Sequence, residues 1–164
     1  MFEIEVLNES EYEIDAARLQ AAAVTTLARQ NADENSSLTI AVTDDAAVAA
    51  LNKQFRGIDA PTDVLSFPMD EMPSEADEET HYLGDLVIAY PYAKAQAERE
   101  GHALSDSLAL LVVHGTLHLL GFDHDTPEQR AAMWAAQEAA LIALGIPPEI
   151  VPALEQGVHD EPPE

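Results

Sequence analysis

The chain has 164 residues, 47% of them hydrophobic, which suits one globular domain with one sizeable core. It carries 31 acidic against 7 basic residues, a formal charge of −24, which argues against broad phosphate contact and against anionic membranes. Cysteine is absent, which excludes disulfides and thiolate zinc sites and permits a reducing compartment. The opening MFEIEVLN has no basic-then-apolar leader, and no run reaches the roughly 20 apolar residues of a membrane span. A cytoplasmic protein with no membrane partner is the expectation.

In chain order, Phe2, Ile4 and Val6 alternate with Glu3 and Glu5, the period-2 pattern of a strand over 2–7. From Asp15 to about Arg29, Ala16, Leu19, Ala23 and Leu27 keep helical spacing, with an end near Asn31. Leu38, Ile40 and Val42 alternate as a second strand. Asp44 or Thr43 can cap a helix over 45–55 that Gly57 closes. In RGIDAPTDVLSFP, residues 56–68, Pro61 rules out a regular strand before it, and Val64 to Phe67 reads as a short strand that Pro68 stops. Residues 69–80 are acidic and apolar-poor, a solvated loop or flap. LGDLVIAY, residues 83–90, is the most β-like stretch and is expected inside the sheet. Pro91 opens a helix that ends at Gly101. Ser105 is the expected cap of a helix to Leu120, whose apolar residues run all round and so call for burial. Thr126-Pro127-Glu128-Gln129 reads as a capping box and opens a last helix to Leu144. The order gives an α+β fold: a single domain over 1–151, a small mixed sheet of about four strands packed with about five helices. Residues 152–164, with three prolines and several acids, are expected to fray as a flexible acidic tail.

The chemistry concentrates in HGTLHLLGFDH, residues 114–124. His114 and His118 lie four residues apart on the buried helix, which means about 6 Å of rise and about 40° of rotation, so both imidazoles leave one face. Gly121 lets the chain turn and bring His124 back toward them. A lone histidine on an apolar helix is usually packed, with a satisfied ring nitrogen. Three in this pattern arise by chance roughly once in a hundred tries, given six histidines in the chain. His114, His118 and His124 are therefore read as the ligands of one catalytic zinc per chain, although imidazole also suits other divalent transition metals.

The same spacing occurs in one class of metalloproteases, where Glu follows the first His as general base. Here that position is Gly115, so the protease reading lacks its proton acceptor. Phosphodiester hydrolysis suits the site instead, with a cation to stabilise the transition state, and Arg56 is the best candidate. The competing reading is a surface arginine packing its stem. Asp85 is a candidate to support the site or to hydrogen-bond a turn, and Asp123 to orient a histidine or the loop. His81, His102 and His159 fall outside the spacing and read as ordinary surface residues.

Three motifs, HGTLHLLGFDH, RGIDAPTDVLSFP and LGDLVIAY, together resemble the YbeY family of bacterial endoribonucleases, in that family's order and over roughly residues 38–145. The resemblance implies one metal-dependent domain, usually with zinc, that cuts single-stranded RNA. It implies roles in 3′-end maturation of 16S ribosomal RNA and in ribosome quality control, with the small ribosomal subunit or ribosome-associated proteins as partners. It carries the metal ligands to His114, His118 and His124, the functional arginine to Arg56, and a cleft partly lined by the 62–67 segment. The acidic charge departs from the positive cleft expected for RNA and suits a partner that supplies most of the binding. Two other classes remain: a metal-stabilised ribosome-assembly factor without turnover, and a metalloprotease-like hydrolase.

Overall fold

In the computed structural model, residues 2–68, 81–123 and 125–147 are described. The flap expected over 69–80, the third histidine His124 and the tail over 152–164 lie outside the described residues. The elements are β1 (Glu3–Leu7), α1 (Ala16–Arg29), β2 (Ser36–Thr43), α2 (Asp45–Arg56), β3 (Val64–Pro68), β4 (His81–Ala89), α3 (Tyr90–Glu100), α4 (Leu104–Leu119) and α5 (Pro127–Leu144). Local chemistry sets their starts. The Asp15 carboxylate accepts from Arg18 N (3.1 Å) and Asp44 from Ala47 N (2.8 Å), each satisfying an orphan amide of a first turn. Thr126 and Gln129 form the reciprocal capping box at α5, at 3.1 and 3.2 Å.

One cap differs from expectation. Ser105 lies within the first turn of α4, and the N-cap is Ala103, which has no side-chain acceptor. The link from α3 is only residues 101–103, and His102 N bonds back to Ala97 O (2.9 Å), so Leu104 is already helical. Asp106 supplies the negative charge of that first turn and pairs with Arg18 of α1 at 2.6 Å.

The four strands run in the order β1-β2-β4-β3. β1, β2 and β4 are parallel, and β3 lies antiparallel on the edge, so the sheet is mixed and β4 is interior as its composition suggests. On one face, Leu38, Ile40, Val42, Leu86 and Ile88 pack with residues of α1, α4 and α5 into the main core. The other face carries a smaller core, where Val48 of α2 meets Leu65, Val87 and Ala89. α4 is buried from Leu108 to Leu117, matching its apolar residues all round. Among the described residues no helix is long and apolar enough to cross a membrane.

β4 contains a bulge. Ser37 pairs with Tyr82 but Leu38 pairs with Gly84, so Leu83 is the extra residue. Gly84 has φ +139°, and a Cβ there would lie 2.2 Å from Phe67 O, which leaves glycine as the one residue that fits.

Candidate functional site

The end of α4 and the end of α2 face each other across the edge strand β3. Between them lies a cleft of about 540 Å³, lined by His114 and His118, by Arg56 and Phe55, by residues 64–68, and by Gly121, Phe122, Asp123 and Asp125. Strand alternation explains how β3 serves both sides: Ser66 faces Gly115 of α4, while Phe67 packs with the α2 cluster.

His114 is 1% exposed and His118 is half-buried. Their ring centroids are 4.7 Å apart at 83°, as the helical spacing requires. His114 Nδ1 lies 2.6 Å from Gln137 Oε1 of α5. His118 Nδ1 lies 3.0 Å from the Phe122 carbonyl, in the turn that follows its own helix. Both partners are carbonyl-type oxygens, which accept, so each Nδ1 donates its proton. Trp134 closes over His114 edge-on at 6.0 Å and is itself covered by the Arg130 guanidinium at 5.1 Å.

Gly121, at φ +103°, makes the turn that its position suggests, with Phe122 N bonded to Leu117 O at 3.0 Å. This turn places the Phe122 carbonyl under His118 and sets Asp123 and Asp125 along the cleft. The donor set fits a divalent metal of the zinc type: two imidazoles on one face, each with its Nδ1 bonded to oxygen. Among the described residues, however, no three His, Asp or Glu side chains converge on one metal position.

Arg56 is exposed at the last turn of α2. The segment after it is held by Asn52, whose Nδ2 donates to Ala60 O (2.9 Å), and by Asp63, whose carboxylate accepts from Val64 N (2.7 Å). Asp63 is fully buried, and its charge adds to burial in raising the Tyr92 hydroxyl above its usual range.

Asp123 lines the cleft, but Asp85 does not. The bulge at Leu83 reverses the alternation of β4. Leu83, Leu86 and Ile88 face the main core, and Asp85 turns to the opposite face beside Tyr82 and Thr39. Tyr82 donates to the Asp85 carboxylate and hydrogen-bonds Thr39 at 2.8 Å. Desolvation first, then the Asp85 bond, raises its hydroxyl above the ordinary value. Gln137, Phe55 and Phe122 are site residues that the motif pattern does not mark. Gln137 carries one signal, a polar residue among the apolar positions of α5, and it is fully buried.

Comparison with known proteins adds a separate line of observation. The family profile described as Endoribonuclease YbeY matches residues 5–145. A relative named Endoribonuclease YbeY from Chloroflexus aggregans is 42% identical over 89% of this chain and 98% of its own length. Another of that name, from Moorella thermoacetica, is 46% identical over 78% of this chain and 83% of its own. A solution structure from Thermotoga maritima superposes with a TM-score of 0.56 at 21% identity over the whole of both chains, a likeness of fold alone.

Proposed function

The chain belongs to the Endoribonuclease YbeY family, and we propose that it cuts single-stranded RNA in the cleft between the ends of α2 and α4, with a divalent metal, zinc first, held by His114, His118 and His124. The observation that carries this reading is the pair of Nδ1 bonds to Gln137 Oε1 (2.6 Å) and Phe122 O (3.0 Å), which give two adjacent imidazoles the same tautomer at the wall of one cleft. A merely packed histidine needs no such match with a neighbour. Asp123 and Asp125 line the same cleft, and the motif spacing carries His124 as the third donor.

A bound divalent ion supplies Lewis acidity toward a phosphoryl oxygen and a lowered pKa for water. The protein's own groups do the rest. Gln137 and the Phe122 carbonyl hold the rings in one tautomer and orientation. Arg56 binds the scissile phosphate and stabilises the charge that builds on its oxygens. Asp123 orients the turn, while Asp85 takes no part in this cleft. Gly115 points away from the cleft: a Cβ there would sit 2.7 Å from Leu86 Cδ2. Position 115 therefore has no room for a protease's general base.

The finer reading is 3′-end maturation of 16S ribosomal RNA and ribosome quality control in the cytoplasm, with partners on the small subunit supplying much of the binding. The charge of −24 favours that division of labour. A second reading, a metal-stabilised assembly factor without turnover, would keep the same ligands. The deciding experiment is cleavage of a short single-stranded RNA by protein of measured metal content, with His114→Ala beside it. Cleavage that vanishes in a folded variant with lost metal is the expected result. No cleavage of ribosomal RNA at full metal occupancy would favour the assembly factor.

A further inference from the structure

Phe55 is a large apolar side chain left 59% exposed at the last turn of α2, next in sequence to Arg56. Its ring is not loose: Phe67 of β3 meets it edge-to-face, with centroids 5.2 Å apart at 67°. Both rings line the cleft that holds His114 and His118. A buried core would take such a ring in; here β3 props it at the cleft wall and leaves much of it to solvent.

We propose that Phe55 is a stacking platform for one nucleobase of the RNA, set beside the Arg56 phosphate contact. The proposal rests on the nuclease reading above and names how that site recognises its substrate. Charge makes the case stronger. Seven basic residues against 31 acidic ones leave little electrostatic attraction for RNA, so whatever affinity the chain's own cleft has gains most from a contact indifferent to charge. Base stacking on an aromatic ring is such a contact, and it tolerates any sequence because every base has a flat face. A base inside a duplex has both faces covered and cannot use it. Phe55 therefore gives the cleft a physical means of choosing unpaired RNA.

The test uses the intact, metal-loaded protein and a short labelled single-stranded RNA, with binding read by stopped-flow anisotropy before turnover. Phe55→Ala and Phe55→Leu are expected to weaken binding about 5- to 150-fold, and Phe55→Trp to restore it. Leu keeps apolar bulk against Phe67 without a ring face, so it separates stacking from packing. Replacing the bases one at a time by abasic sites should reveal one position where wild type and Phe55→Ala become equal. Unchanged binding in both variants, or a loss equal across all abasic RNAs, would overturn the platform. Absence of RNA cleavage with the stacking pattern intact would sink the nuclease reading alone. Cleavage with Phe55-independent binding would sink the platform alone.

Discussion

On the α4 side of the cleft, His114 is 1% exposed, and each imidazole is tied to an oxygen through Nδ1. On the α2 side, Phe55 is 59% exposed and Arg56 is exposed as well. The first side is rigid because its residues belong to the main core, so orientation there is fixed before any ligand arrives. The second hangs on a helix end over the smaller core, with fewer neighbours to disturb. Damage on the α4 side should therefore appear as lost stability and lost metal together. On the α2 side, function should fall with the fold untouched.

The sharpest way to break this contrast is Gly115→Glu, which installs the carboxylate of the protease pattern. Its Cβ would meet Leu86 Cδ2 at 2.7 Å and Ser66 Oγ at 3.3 Å, and its charge would be buried. A loss of about 4 kcal/mol or more is expected in urea unfolding. Gly115→Ala should cost far less, since about 1 kcal/mol of helix propensity offsets about 1–3 kcal/mol of overpacking. Equal stability of the Glu variant and the native protein would mean this side is not packed as described.

Gln137→Leu comes next. It strands the His114 Nδ1–H, for about 1–3 kcal/mol in stability, and should lower metal affinity about 10- to 100-fold in a chelator competition. Gln137→Glu keeps an acceptor oxygen and should retain most of the affinity. If Leu binds metal as well as Gln, α5 has no hold on the site.

Arg56→Ala tests the open side. Its stability should stay within about 0.5 kcal/mol of the native value, while RNA cleavage falls roughly 10²–10³-fold. A shifted urea midpoint would remove the distinction between the two sides.

The smallest effect lies away from the cleft, at Tyr82. Burial and the Asp85 bond raise its pKa, so the folded state holds the proton more tightly than the unfolded chain. That contribution is complete below the ordinary tyrosine value of 10.0 and fades as pH climbs through the raised folded value. Tyr82→Phe should flatten the alkaline limb of a pH–stability curve and leave RNA cleavage alone.

Much of this was legible in the sequence for physical reasons. Period-2 and helical spacing, the Asp44 and Thr126 caps and the all-round apolar pattern of α4 are local properties, and they fixed elements and burial. His114, His118, Arg56 and Asp123 were legible as candidates from the motifs, and they line one cleft. Asp85, a candidate to support the site or to hydrogen-bond a turn, lies away from the cleft because one extra residue at Leu83 reverses the side chains after it, and no residue type announces that slip. Gln137 lies 23 residues from His114, and only the packing of α5 on α4 joins them. Phe55 reads as the apolar face of an amphipathic helix, and only the edge position of β3 leaves it uncovered. Ser105 was a plausible cap, overruled by the short link before it.

The burial of α4 has a consequence for how the molecule opens. Its backbone amides from Leu108 to Leu117 sit in the main core, so no small fluctuation exposes them. In native-state deuterium exchange they should report the slowest, global event, while the last turn of α2 exchanges through local fraying. His114 lies inside that stretch, so its ring keeps its place as long as the fold itself lasts.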